Sequence, residues 1–97
     1  MKEISRSNVF IKWFKKLKDF QAVARIDARI ERLANGNPGD HHFLSDISEL
    51  CINYGPGYRV YYKDTGKEII VLLCGGDKST QQADIIKAKK IAKLYKE

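Results

Sequence analysis

The apolar residues of this 97-residue chain change period, and that change limits the folds open to it. Through Leu33 they recur at helical spacing. From Ser48 to Cys74 they alternate or run unbroken, as they do in strands. Between the two regions lies Asn35-Gly36-Asn37-Pro38-Gly39-Asp40, which stops a helix decisively. From Gln81 the helical period returns. Helices, then strands, then a helix predict a single α+β domain over residues 1–97, with a small, mostly antiparallel sheet.

Phe10, Trp13, Phe14 and Leu17 fall at i, i+3, i+4 and i+7, which predicts an amphipathic helix from Asn8 to about Lys18 with a core-facing aromatic stripe. A break near Asp19 precedes a second helix marked by Val23, Ile26, Ile30 and Leu33, with arginines on its outer side. So short a linker makes the pair a helical hairpin. Residues 1–5 form an expected edge strand. In the last helix Ile85, Ala88, Ile91, Ala92 and Tyr95 mark the apolar side. Lys87, Lys89, Lys90, Lys93 and Lys96 make the outer surface basic, a pattern common on solvated faces.

In the strand region Leu50, Ile52 and Tyr54 alternate with Glu49, Cys51 and Asn53. After Gly55-Pro56-Gly57, Tyr58, Val60 and Tyr62 alternate with Arg59, Tyr61 and Lys63. A three-residue loop would pair Asn53 with Arg59, Cys51 with Tyr61 and Glu49 with Lys63. One face is then apolar and takes the helical hairpin, and the other is open and carries Arg59, Tyr61 and Asn53. Residues 68–74 are apolar at both parities, so that strand is expected at the centre of the sheet. A tight turn at Thr65-Gly66 would set Arg59 opposite Leu72 and leave residues 75–81 as a loop. Cys51 and Cys74 would lie about 10 Å apart, too far for a disulfide.

The residues of that face define the expected chemistry. Arg59 is too costly to bury unpaired, so it should meet solvent or an anion. Gly75-Gly76-Asp77-Lys78-Ser79-Thr80 can present backbone N–H groups beside a lysine, which suits an anion. At a bound phosphate, Arg59 supplies a fixed cation and Lys78 a second cation or an acid. Tyr61 would act as base or stack on a base. Asn53, Asp77 and Gln81 are the expected substrate-binding side chains, with Asp84 either a further titratable candidate or a helix cap.

Eighteen Lys+Arg against 12 Asp+Glu give a charge of +6, which favours an acidic partner such as RNA, DNA or an acidic protein. No apolar stretch is long enough to span a membrane and the N-terminus has no apolar leader, so a cytoplasmic chain is expected. The cysteines match no metal spacing and read as reduced thiols. His41-His42 with Asp40 and Asp46 lacks a third and fourth ligand at useful spacing, so neither metal nor cofactor is expected and a loop surface role is favoured. His42 remains an alternative acid–base group. The strand register sets no histidine beside Cys51, which argues against a thiol nucleophile.

The runs Gly36-Asn37-Pro38-Gly39-Asp40, Ser48-Glu49-Leu50, Gly55-Pro56-Gly57-Tyr58-Arg59-Val60-Tyr61-Tyr62 and Leu72-Leu73-Cys74-Gly75-Gly76-Asp77-Lys78-Ser79-Thr80-Gln81, with Asp84-Ile85 and Ala88, carry a resemblance. Together they resemble the addiction-module killer proteins, phage-associated HigB-like toxins of the RelE/ParE superfamily. The likeness runs from about Phe10 to Ala92. It implies a RelE/ParE-like fold, and a toxin neutralised by a cognate antitoxin that is often a helix-turn-helix protein. It also implies metal-independent mRNA cleavage on the ribosome, with Arg59 at the scissile phosphate and Lys78 as the loop cation. ParE-like inhibition of DNA gyrase is the alternative target. The family pattern Glu-Leu-Arg-Ile reads Glu49-Leu50-Cys51-Ile52 here, so one cation of the site is replaced, which admits a weakened toxin whose main activity is antitoxin binding.

Overall fold

A computed structural model describes residues 1–95; Lys96, expected on the basic face of the last helix, lies outside them. The element order is β1 (Glu3–Arg6), α1 (Asn8–Lys15), α2 (Phe20–Ala34), β2 (His41–Leu44), β3 (Ile47–Ile52), β4 (Tyr58–Asp64), β5 (Ile69–Asp77), a 3-10 turn (Lys78–Thr80) and α3 (Gln81–Ala92). The architecture is α+β, with a five-stranded sheet in the order β1-β5-β4-β3-β2. The β1–β5 pair is parallel and the other three pairs are antiparallel. No helix among the described residues is long and apolar enough to cross a membrane.

Local chemistry starts the first two helices. The Ser7 hydroxyl accepts from the Phe10 N–H at 3.0 Å and donates to the Leu73 carbonyl at 2.6 Å, so one buried side chain caps α1 and ties it to β5. Asp19 caps α2 by accepting from the N–H groups of Gln21 and Ala22. Phe10 from α1, with Ile26, Ile30 and Leu33 from α2, packs on Leu50, Ile52, Val60, Tyr62, Ile70 and Leu72. This is the apolar face expected for the helical pair.

The opposite face is not open as expected. Ala88 and Ala92 of α3 cover Tyr61, Val71, Leu73 and Cys74, and Tyr61 has no exposed surface. Arg59, at one end of this face, remains partly accessible. These two small residues let α3 lie close to the sheet, with Ile85 and Ile91 of the same helix packed around them.

Both registers differ from the expected ones. In β3–β4, Cys51 faces Arg59 and Glu49 faces Tyr61, a slip of two residues that widens the loop to residues 53–57. An even slip keeps every side chain on its expected face, so the alternation survives the error. Lys63 does not meet Glu49; its Nζ donates to the Tyr95 carbonyl at 2.9 Å. In β4–β5, Arg59 faces Gly76 rather than Leu72, because Asp64 accepts from the Gly66 N–H and the turn is wider than two residues. A bulge follows: Tyr61 pairs with Cys74 and Tyr62 with Leu72, leaving Leu73 as the extra residue.

The Gly75-Gly76 pair is therefore strand, not an anion-binding loop. A Cβ on Gly75 would collide with the Trp13 ring, and one on Gly76 with the Asp84 carboxylate and its partner Thr80. Glycine is required there by close approach from both faces. His41–Leu44, expected as a loop, forms the edge strand β2 on β3. Both cysteines are buried and free.

Candidate functional site

The loop from Asn53 to Gly57 bends around the start of β4 and meets the turn that follows β5. Gly57 has φ +80°, a backbone conformation that favours glycine, and the position of its absent Cβ lies 3.5 Å from both Arg59 Nη1 and Lys78 Cβ, so both cationic side chains border this turn. Asn53, Pro56, Arg59 and Lys78 line one concave groove of about 380 Å³. The structure thus brings together Arg59, Lys78 and Asn53 from the expected set.

Arg59 is held rather than free. Its side chain is 13% exposed, with Nε 3.7 Å from the Glu49 carboxylate, which is 2% exposed. Nη1 donates to the carbonyls of Gly57 and Tyr58 at 3.1 and 3.3 Å. The buried Nε–H makes no hydrogen bond. Such a guanidinium is fixed in place yet not saturated by donors' partners. Lys78 is exposed at the first position of its turn.

Glu49 is the organising group that sequence reasoning missed. Its Oε2 accepts from the Tyr61 hydroxyl at 3.0 Å and from Gln81 Nε2 at 2.7 Å, while Oε1 lies 3.6 Å from the Cys51 thiol. Arg59 supplies the opposing charge. Four side chains from β3, β4 and α3 therefore satisfy one buried carboxylate. The signal was present: Glu49 shares parity with Cys51, Arg59 and Tyr61, and only the shifted register assigned it to Lys63.

The remaining candidates have other partners. Tyr61 is fully enclosed, and burial together with the Glu49 carboxylate pushes its phenol far above the ordinary range. Gln81 is engaged with Glu49. Asp77 accepts from the Ser79 N–H at 2.8 Å and from its hydroxyl at 2.5 Å, which holds its carboxyl below the usual range and makes it the cap of the 3-10 turn. Asp84 sits buried in the first turn of α3 and accepts from the Thr80 hydroxyl at 2.5 Å. Burial raises the Cys51 thiol to about 11, with the Glu49 charge adding to the effect.

The third ligand type absent near His41-His42 in sequence is supplied by pairing. Asp40, His42 and Cys51 place their ligand atoms within 4.8 Å of one another. His41 does not join them; its Nδ1 lies 2.7 Å from the Gly39 carbonyl.

A Haemophilus influenzae protein described as uncharacterized is 50% identical to this chain over 91 residues, which span 93% of this chain and 92% of the relative. No protein-family profile matches the chain, and no solved structure matches it.

Proposed function

This chain belongs to one family with the Haemophilus influenzae protein, and we propose that it is the toxin of a two-gene toxin–antitoxin module. In this reading it is a RelE/ParE-like, HigB-like endoribonuclease that cleaves mRNA on the ribosome without a metal and stops translation in the cytoplasm. A cognate antitoxin, of the helix-turn-helix kind, neutralises it. The observation that carries the reading is the groove in which Arg59, Lys78 and Asn53 converge.

The chemistry follows from what the groove holds. A phosphate seated there meets one strand-mounted guanidinium and one loop ammonium, and both interactions strengthen as the phosphorane gathers charge. Asn53 provides an amide for the sugar or base edge. With Tyr61 enclosed and Asp77 a weakened base occupied in capping the 3-10 turn, the groove contributes cations rather than a base, and the 2′-hydroxyl proton leaves to water while water protonates the departing 5′-oxygen. The rate gain is then mainly charge stabilisation and positioning.

The Arg59–Glu49 ion pair favours the weakened-toxin reading as a second one, since part of the Arg59 charge is already neutralised. Primer-extension mapping of ribosome-bound mRNA tests the first. Arg59→Gln should slow cleavage by about 10²–10³ and Lys78→Ala by roughly tenfold. Lys78→Ala is the cleaner variant, because that side chain is exposed and supports no packing. Wild-type rates in both variants would remove the groove from the mechanism.

A further inference from the structure

The β2–β3 ladder places a set of ligand atoms that the cationic groove does not use. His42 pairs with Glu49, and the Cys51 N–H donates to the Asp40 carbonyl at 2.9 Å, so the ladder continues to an Asp40–Cys51 pair. Residues two apart on a strand share a face. Asp40 and His42 therefore stand over Cys51, and their ligand atoms converge to within 4.8 Å. One oxygen, one nitrogen and one buried sulfur thus stand together on this side of the sheet.

The geometry points to a binding site for a zinc-type divalent cation formed by Asp40, His42 and Cys51. Three protein ligands of mixed type leave a fourth tetrahedral position for water or an incoming group. Thiolate and imidazole favour zinc over magnesium or calcium, which prefer all-oxygen sets. Bonds of about 2.0–2.3 Å require the ligand atoms to close by roughly 1 Å. Asp40 and His42 are exposed and can rotate to do so, while Cys51 is fixed in the sheet.

On binding, the sulfur–metal bond replaces the S–H bond, and the thiol proton leaves to solvent. The Asp40 carboxylate also holds Asn53 Nδ2 at 3.3 Å, so the metal would draw on the group that steadies one wall of the groove.

Isothermal titration of the untagged chain with ZnCl₂, beside MgCl₂, tests it. One zinc per chain should bind at micromolar affinity or tighter, with no comparable magnesium binding. His42→Ala and Cys51→Ser should each weaken zinc by more than the roughly 10–100-fold typical of losing a supporting partner. His41→Ala should leave it unchanged. Cobalt(II) should show the thiolate charge-transfer band in wild type and not in Cys51→Ser. Absence of binding at millimolar zinc, an affinity unmoved in either ligand variant, or equal loss in His41→Ala overturns the proposal.

Discussion

The two faces of the sheet are built on opposite principles. Under α1 and α2 lies a mainly apolar layer in which Phe10, Ile26, Leu50, Val60 and Leu72 are completely enclosed. Under α3 the layer mixes small helix residues with a buried polar cluster: Glu49, its donors Tyr61 and Gln81, and the nearby pair of Thr80 with Asp84. The first face can only stabilise. The second also positions, because its polar groups have directional partners and one of those partners, Arg59, reaches the groove. Stability and chemistry are separated across a single sheet, and variants on the two faces should fail in different ways.

The largest effect is expected on the apolar face. Phe10 has no exposed surface and stacks on Phe14 with ring centroids 5.6 Å apart. Phe10→Ala should cost about 3–5 kcal/mol, the range for emptying an aromatic site in a packed core. Thermal unfolding followed by circular dichroism checks this. The folded fraction should keep wild-type cleavage of ribosome-bound mRNA per molecule, since Arg59 projects from the other face of the sheet, where it meets Glu49. A Phe10 variant that unfolds normally but cleaves slowly would break the separation of the two faces.

The apolar face was legible in the sequence because periodicity encodes it directly. The expected helix from Asn8 and the break at Asp19 correspond to α1 and α2, and parity sorted Leu50, Ile52, Val60 and Tyr62 correctly even though the register was two residues off. Residues 69–74, apolar at both parities, form most of β5, which is interior and covered on both faces but stands second in the sheet, with β4 at its centre. The polar face was hidden by two things that periodicity does not carry. Turn width set the registers, so Glu49 was matched to Lys63 instead of Tyr61. Close approach by Trp13 and Asp84, not the presentation of backbone N–H groups to an anion, explains Gly75 and Gly76. The groove residues Arg59 and Lys78 were legible because a cation amid aromatic strand residues and a lysine after diglycine stand out by chemistry. Their restraint by Glu49 was not, since it depends on a contact between strands.

Glu49→Gln sharpens the comparison at intermediate cost. The amide keeps an oxygen for Tyr61 and Gln81, so the change removes mainly the charge that faces Arg59. Stripping one partner from a buried ion pair typically costs 3–5 kcal/mol, but Arg59 retains 13% exposure and can turn toward the groove, so roughly 1–3 kcal/mol is expected. Released from its carboxylate, Arg59 should hold a phosphate better and raise cleavage about threefold, since even a fraction of a kcal/mol in transition-state binding shifts the rate by that much. Denaturant melts and primer extension on the same preparations read both quantities. Lower stability with slower cleavage would show instead that the Glu49 charge takes part in the reaction.

The smallest effect is expected for Tyr61→Phe, which deletes one hydroxyl from the polar face. The lost hydrogen bond to Glu49 is worth about 1 kcal/mol, because the carboxylate keeps Gln81 and Arg59. Cleavage should stay within roughly threefold of wild type, as an enclosed phenol does not reach the groove. The pH dependence gives an independent reading. Burial raises the Tyr61 phenol above its unfolded value of about 10, so the native state keeps a proton that the unfolded chain releases. That contribution is fully present below pH about 10 and is lost as pH rises beyond it toward the folded value. Burial raises Cys51 and Cys74 in the same direction, to about 11 and about 12, so the wild type should lose stability steadily on the alkaline side. Tyr61→Phe should flatten that limb without abolishing it, because the two thiols remain. A Phe variant with an unchanged alkaline limb and a hundredfold loss of cleavage would place the Tyr61 hydroxyl in the reaction, and the polar face would have to open for RNA to reach it.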